Sequence, residues 1–151
     1  MSLETLQTEA FDRLSKCAAL LKADCAVIED NKGDIDAAIH SELSKLGLCA
    51  VVLEDGADNA GETGGANPTL KAALTVMVYE TPQANRRKAN HLTVAAAARA
   101  VAAELHVLPP LPSGHAVLKR ITGTMQDPAV KGIVFRAVTF EILTQLKGSG
   151  Q

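Results

Sequence analysis

LCAVVLEDGADNAGETGGANPTLKAALTVMVYE, residues 48–80, decides the fold. Its opening, LCAVVLE (48–54), is short, β-branched and nearly all apolar, which predicts a buried strand. Its close, LKAALTVMVYE (70–80), alternates. Leu70, Ala72, Leu74, Val76 and Val78 share one face, and Lys71, Ala73, Thr75, Met77 and Tyr79 share the other. The first face belongs to a core, the second to a wetter surface or an interface. Between the two strands, EDGADNAGETGGANP (54–68) holds four glycines and four carboxylates with no basic and no large apolar residue. Such a segment offers nothing to a core, so a projecting, mobile acidic loop is expected there.

Upstream, Ile35, Ile39, Leu43 and Leu46 recur at helical spacing. Asp34 stands where a side chain can accept from the first orphan amides, and Gly47 where a left-handed residue ends a helix, so a helix over 34–46 should run straight into the first strand. Leu3, Leu6, Ala10, Leu14, Cys17 and Leu21 predict a first helix over about 3–22, capped by Ser2. DCAVIEDN (24–31) is too broken for a helix; Cys25–Ile28 reads as a short strand or a connector.

Downstream, TPQANRRKANH (81–91) joins Pro82 and Asn85 to three consecutive cations, Arg86, Arg87 and Lys88, and reads as an exposed basic loop. LTVAAAARAVAAELHVL (92–108) carries a helical stripe of Val94, Ala97, Ala98, Val101, Leu105 and Leu108, and Pro109, Pro110 and Pro112 end it. Two last strands, about 115–124 and 132–143, flank a turn at MQDPAVKG (125–132). The element order predicts an α+β fold: an antiparallel or mixed sheet of about four strands backed by two to three helices. It is a single domain over residues 1–147, with 148–151 a disordered tail.

Composition narrows the function. The chain has 151 residues, 47% of them hydrophobic and 21% charged, with 15 Lys+Arg against 17 Asp+Glu and a net charge of −2. Such a chain folds as one ordinary domain and is not a polyanion binder as a whole. With no Trp, one Tyr and three Phe, base-stacking platforms are scarce, so no sequence-specific nucleic-acid partner is expected. Every apolar run is too short to cross a bilayer, and MSLETLQTEAFDRLSK lacks the features of a secretory signal, so cytoplasmic synthesis is expected and a membrane is not.

Chemistry-bearing patterns are scarce. Gly56-x-x-x-x-Gly61-Glu62-Thr63 has the outline of a phosphate loop, but Glu62 occupies the position where a lysine must meet the phosphate charge. Asp55, Asp58 and Glu62 lack the spacing of a calcium loop. His40, His91, His106 and His115 fall in different elements without HxxxH or HxH spacing. Cys17, Cys25 and Cys49 sit among apolar neighbours, where a thiolate is destabilised, so they read as buried thiols. No G-x-S-x-G elbow is present. The reading is of a protein that is not an enzyme, with no catalytic residue, no cofactor and no metal. What remains is polarity: the acidic segment and the basic run flank the same strand, about ten residues apart. Opposite charges at opposite ends suit a head-to-tail contact between copies of the chain, with Asp55, Asp58, Glu62, Arg86, Arg87 and Lys88 as the interface candidates.

Residues 34–143 also resemble the tail terminator, or tail completion, proteins of long-tailed bacteriophages and prophages, which are also called minor tail proteins. The likeness runs through DIDAAIHSELSKLGLCAVVLE, the glycine-rich loop, VMVYETPQANR, TVAAAARAVAAELH with its proline-rich exit, and the final hairpin ending VTFEIL. Its one local motif is Glu80-Thr81-Pro82-x-x-Asn85-Arg86, with Thr81 where the commonest form has Asn. The resemblance implies a small α+β subunit that assembles into a homo-oligomeric ring, a hexamer, at the head-proximal end of the tail tube. There it would stop tube polymerisation and mediate head–tail joining. The implied partners are copies of itself, the tail tube protein and the head–tail connector, first in the bacterial host cytoplasm during assembly and then in the virion tail. Two rival readings stand beside it: another morphogenesis subunit, such as a connector or tube protein, and a small-ligand-binding domain or enzyme with a polar pocket.

Overall fold

A computed structural model describes residues 3–30, 34–60 and 69–145. Three expectations lie outside those residues: the Ser2 cap, the glycine-rich stretch 61–68 with Glu62, and the tail 148–151. The helices are α1 (Leu3–Ser15), α2 (Ala18–Lys22), α3 (Ile35–Leu46), α4 (Pro82–Asn85) and α5 (Val94–Ala102), the last continuing as a π turn over Ala103–Val107. The strands are β1 (Ala26–Glu29), β2 (Leu48–Asn59), β3 (Thr69–Glu80), β4 (Ala116–Ile121), β5 (Met125–Gln126) and β6 (Val134–Gln145).

The strands form one mixed sheet in the order β1-β2-β3-β6-β4, with β5 also paired to β6. β1 runs parallel to β2, as the crossover through α3 demands, and every other pair is antiparallel. The fold is α+β with six strands where about four were expected. β1 resolves the open reading of Cys25–Ile28 in favour of a strand. β5 comes from the expected turn, where Met125 and Gln126 pair with Phe135 and Val134 and the bend itself tightens around Asp127, whose carboxylate accepts from Ala129 N–H at 2.8 Å.

α3 forms as its sequence dictates. Asp34 accepts from Ala37 N–H at 3.2 Å, and Gly47 ends the helix in the left-handed region at φ 76°. The sheet is then covered on both faces. On one, Leu48, Ala50 and Val52 of β2, Leu74, Val76 and Val78 of β3, and Phe140 and Ile142 of β6 pack against Leu6, Ala10 and Leu14 of α1 and Val94, Ala97, Ala98 and Val101 of α5. On the other, Ile39 and Leu43 of α3 cover Cys49, Val51, Met77 and Tyr79. The face of β3 expected to be wet or an interface is therefore divided. Its Met77–Tyr79 end lies under a helix, while towards the other end Lys71, Leu143 and Val117 are exposed.

Three boundaries differ from expectation for physical reasons. The acidic loop expected from residue 54 begins later, because β2 runs on to Asn59 and pairs Ala57, Asp58 and Asn59 with Ala72, Lys71 and Leu70. Backbone pairing to β3 holds polar side chains in a strand as long as they face water, and a bulge between Glu54 and Ala57, with Gly56 at φ 100°, absorbs the change of register. The expected helix 3–22 breaks at Lys16–Cys17, where Cys17 adopts an extended conformation. The break shifts the helical phase, so Leu20 is buried and Leu21, expected in the stripe, is 59% exposed. In α5 the stripe holds through Leu105, but the wider π turn rotates Leu108 outwards.

Candidate interaction surface

The basic end of β3 is built around a carboxylate. Period-two alternation places Glu80 on the inner face with Val76 and Val78, and the side chain is fully buried. An isolated charge there would be costly, so its oxygens are occupied. Asn85 Nδ2 donates to Oε2 at 2.6 Å, Val94 N–H donates to Oε1 at 3.1 Å, and Arg86 Nε lies 3.4 Å from Oε2. The contact from Val94 caps the first turn of α5 with negative charge, where the helix dipole favours it. Asn85 is itself fully buried and spans the gap by donating to the Leu92 carbonyl at 2.7 Å. Its Oδ1 has no hydrogen-bond partner among the described residues. Gly47 completes the junction. Its carbonyl accepts from Thr81 N–H at 2.9 Å, and a Cβ at this position would lie 2.5 Å from Asn85 N, so glycine is required by both conformation and space.

This arrangement corrects the reading of residues 81–91 as an exposed basic loop. The segment opens with α4, buries Asn85, and commits two of its three cations to the chain itself. Arg86 pairs with Glu80, while Lys88 Nζ donates to the Ala23 carbonyl at 2.6 Å and the Asp24 carbonyl at 3.3 Å, just past the end of α2. Partial burial lowers the Lys88 pKa, against the opposing pull of Asp24, Cys25 and Glu80. Arg87 is exposed, and its guanidinium has no partner among the described residues.

At the acidic end, Asp55 accepts a short hydrogen bond from Thr75 Oγ1 across the ladder, and Glu54 accepts from Gly56 N–H within the bulge. Asp58 sits directly opposite Lys71, an opposite-charge cross-strand pair with both residues exposed. The β2–β3 hairpin carries these residues away from the helices, except that Gln7 of α1 accepts from Glu54 N–H at 3.0 Å. Asp58 thus stands near one end of β3, roughly 30 Å of strand from the basic residues Arg86, Arg87 and Lys88 at the other, whereas Asp55 lies midway along the strand beside Thr75.

His91 sits at the basic end, with its Nδ1 3.0 Å from the Lys88 carbonyl. Burial pushes the Cys25 and Cys49 thiols from 9.0 up to about 12 and raises Cys17 as well, so all three are poor nucleophiles. Among the described residues no group of three or more His, Cys, Asp or Glu side chains is arranged to hold a metal ion. A groove of about 270 Å³ runs between α3 and the Val130–Ile133 turn, past His40, Ser44 and Lys131. A second, of about 290 Å³, is walled by Cys17, Ala18 and Ala19 on one side and Ala100, Ala103 and Val107 on the other. Both are open troughs. The motif Glu80-Thr81-Pro82-x-x-Asn85-Arg86 is thus resolved as a structural junction. Its hub, Glu80, could have been read from the sequence by carrying the inner-face alternation two residues beyond Val78.

No family model matches the sequence, and no curated protein matches it closely. Among solved structures, the chain is similar in fold to a chain of the virion of a native gene transfer agent (GTA) particle, with a TM-score of 0.52 at 17% identity. The correspondence covers 93% of this chain and 94% of that one, so it runs nearly end to end in both.

Proposed function

We propose that this protein is a structural, non-enzymatic subunit of a phage or phage-like tail, which forms a ring on the tail tube, terminates its polymerisation and mediates joining to the head. The observation that carries this reading is the end-to-end correspondence of fold with a chain of a phage-like virion, in a protein whose residues 34–143 also resemble tail terminators. The polar design of β3 supports it. In a ring, each subunit meets its neighbours through two different faces, and a strand with acid at one end and base at the other sets one head-to-tail direction. Asp55, Asp58 and Glu62 of one copy would face Arg86, Arg87 and Lys88 of the next. Arg87 leads that contact, since Arg86 and Lys88 are already held within the subunit. The tube protein and the head–tail connector are the further partners, met in the host cytoplasm and retained in the virion tail.

Light scattering after size-exclusion chromatography, with negative-stain imaging over a concentration series, tests the reading. Closed rings of uniform subunit number, six by the resemblance, are expected. Extended tubes would instead favour a tube subunit. A monomer that neither self-associates nor binds tube ends would count against both.

A further inference from the structure

We propose that His106 is an acid-releasable cover for the open edge of β4. Among the described residues β4 has β6 on one side and no strand on the other, so its outer backbone groups are a template for pairing with another chain. One of those donors is occupied by a side chain. Leu118 N–H donates to His106 Nδ1 at 2.9 Å, although the two residues belong to different layers. His106 reaches it because α5 widens into the π turn at Ala103–Val107, which swings the imidazole towards β4. A second bond fixes the same contact, as His115 Nε2 donates to the His106 carbonyl at 2.7 Å, with the two rings 5.3 Å apart.

The chemistry of the cover is set by its polarity. To accept from an amide, Nδ1 of His106 must carry a lone pair, which places the ring proton on Nε2 and makes the imidazole neutral. A proton added at Nδ1 turns the acceptor into a donor facing a donor, and the bond to Leu118 is lost. A proton on His115 leaves its own bond to the His106 carbonyl intact but sets two cations side by side. The surrounding charges belong to the elements packed on the turn. On α1, Glu9 is held by Ser113 and Arg13 by the Pro109 carbonyl, with Asp12 and Lys16 beside them. On α5 and its π turn are Arg99 and Glu104, and on β4 are Arg120 and Lys119, the latter 3.9 Å from Glu141 of β6. None of these supplies an acceptor to Leu118 in place of the imidazole. Acid therefore uncovers an edge donor that neutral pH keeps satisfied.

The test uses the intact protein, labelled with ¹⁵N. Ring-nitrogen shifts at about pH 8 should show His106 protonated on Nε2 and bare on Nδ1. Hydrogen exchange, corrected for the intrinsic rate, should show Leu118 losing about tenfold in protection between about pH 8 and about pH 5, with Val76 in the sheet centre unchanged. His106→Gln keeps an acceptor that does not titrate, and its Leu118 protection should be flat across the same range. The proposal is overturned by an Nδ1-protonated His106 at the higher pH, by equal Leu118 protection at both pH values in the unaltered protein, or by a His106→Gln variant that keeps the loss. Should that variant fail to fold, the unaltered protein's tautomer and exchange decide alone.

Discussion

At the Glu80 end of β3 the carboxylate is fully buried, with its oxygens taken by Asn85, Val94 N–H and Arg86. At the Leu70 end, Asp58 and Lys71 face each other across the ladder with both side chains in water. Each end pairs a carboxylate with a cation, yet one pair is built on the core and the other is surface. The difference is set by which face of the sheet the alternation reaches, and by which helix packs over that face. Glu80 falls on the inner face beneath α5, whereas Asp58 and Lys71 fall on the outer face beyond the reach of α3. Charge at the first end ties β3, α4 and α5 together, and charge at the second stays in water.

The comparison breaks most readily at Glu80. Glu80→Ala leaves Asn85 Nδ2 and the Val94 amide without their buried acceptor, and should cost about 3 kcal/mol by urea unfolding, with Glu80→Gln costing less. A loss below about 0.5 kcal/mol in Glu80→Ala would mean that the carboxylate is not the hub. Gly47→Ala attacks the same junction from the α3 side. The left-handed φ and the approach to the Asn85 amide predict a cost of about 1–3 kcal/mol.

Alkaline titration sharpens the contrast between buried and exposed groups. Cys25 and Cys49 hold their protons to about pH 12 in the folded chain, while an unfolded thiol releases it near 9.0. The folded state therefore binds more protons above pH 9, and stability is full below that value and falls as the pH rises, by up to about 1.4 kcal/mol per pH unit for each thiol. Cys25→Ala should flatten the fall measured by thermal unfolding from pH 8 to about pH 10.5; an unchanged slope would show that these thiols are not the cause. The smallest stability effects belong to the outward charges. Asp58→Asn and Arg87→Glu should each move unfolding by less than about 0.5 kcal/mol. Arg87→Glu should nonetheless weaken ring formation and its salt dependence, an effect that a purely solvated arginine would not produce.

How much of this was legible in the sequence varies from element to element. α3 was readable residue by residue, because its signals are local: an Asp34 cap, a stripe at helical spacing and a terminal Gly47. The alternating faces of β3 and the inner stripe of α5 were equally plain. What the sequence concealed depends on long-range contact. The continuation of β2 to Asn59 needs β3 as a template, since EDGADN has no strand propensity of its own. Lys88 looked like one of three solvated cations until the carbonyls of Ala23 and Asp24 came within reach from 65 and 64 residues away. The candidate surface was legible as a sign pattern and not as a set of partners, because pairing within the subunit is settled by packing.

Tail length in particles assembled with and without this chain tests the central claim most directly. If the protein caps the tube, deleting its gene in a particle-producing host should give overlong tails detached from heads, and supplying it from a plasmid should restore uniform joined tails. Tails of normal length and attachment in the deletion strain would contradict the account.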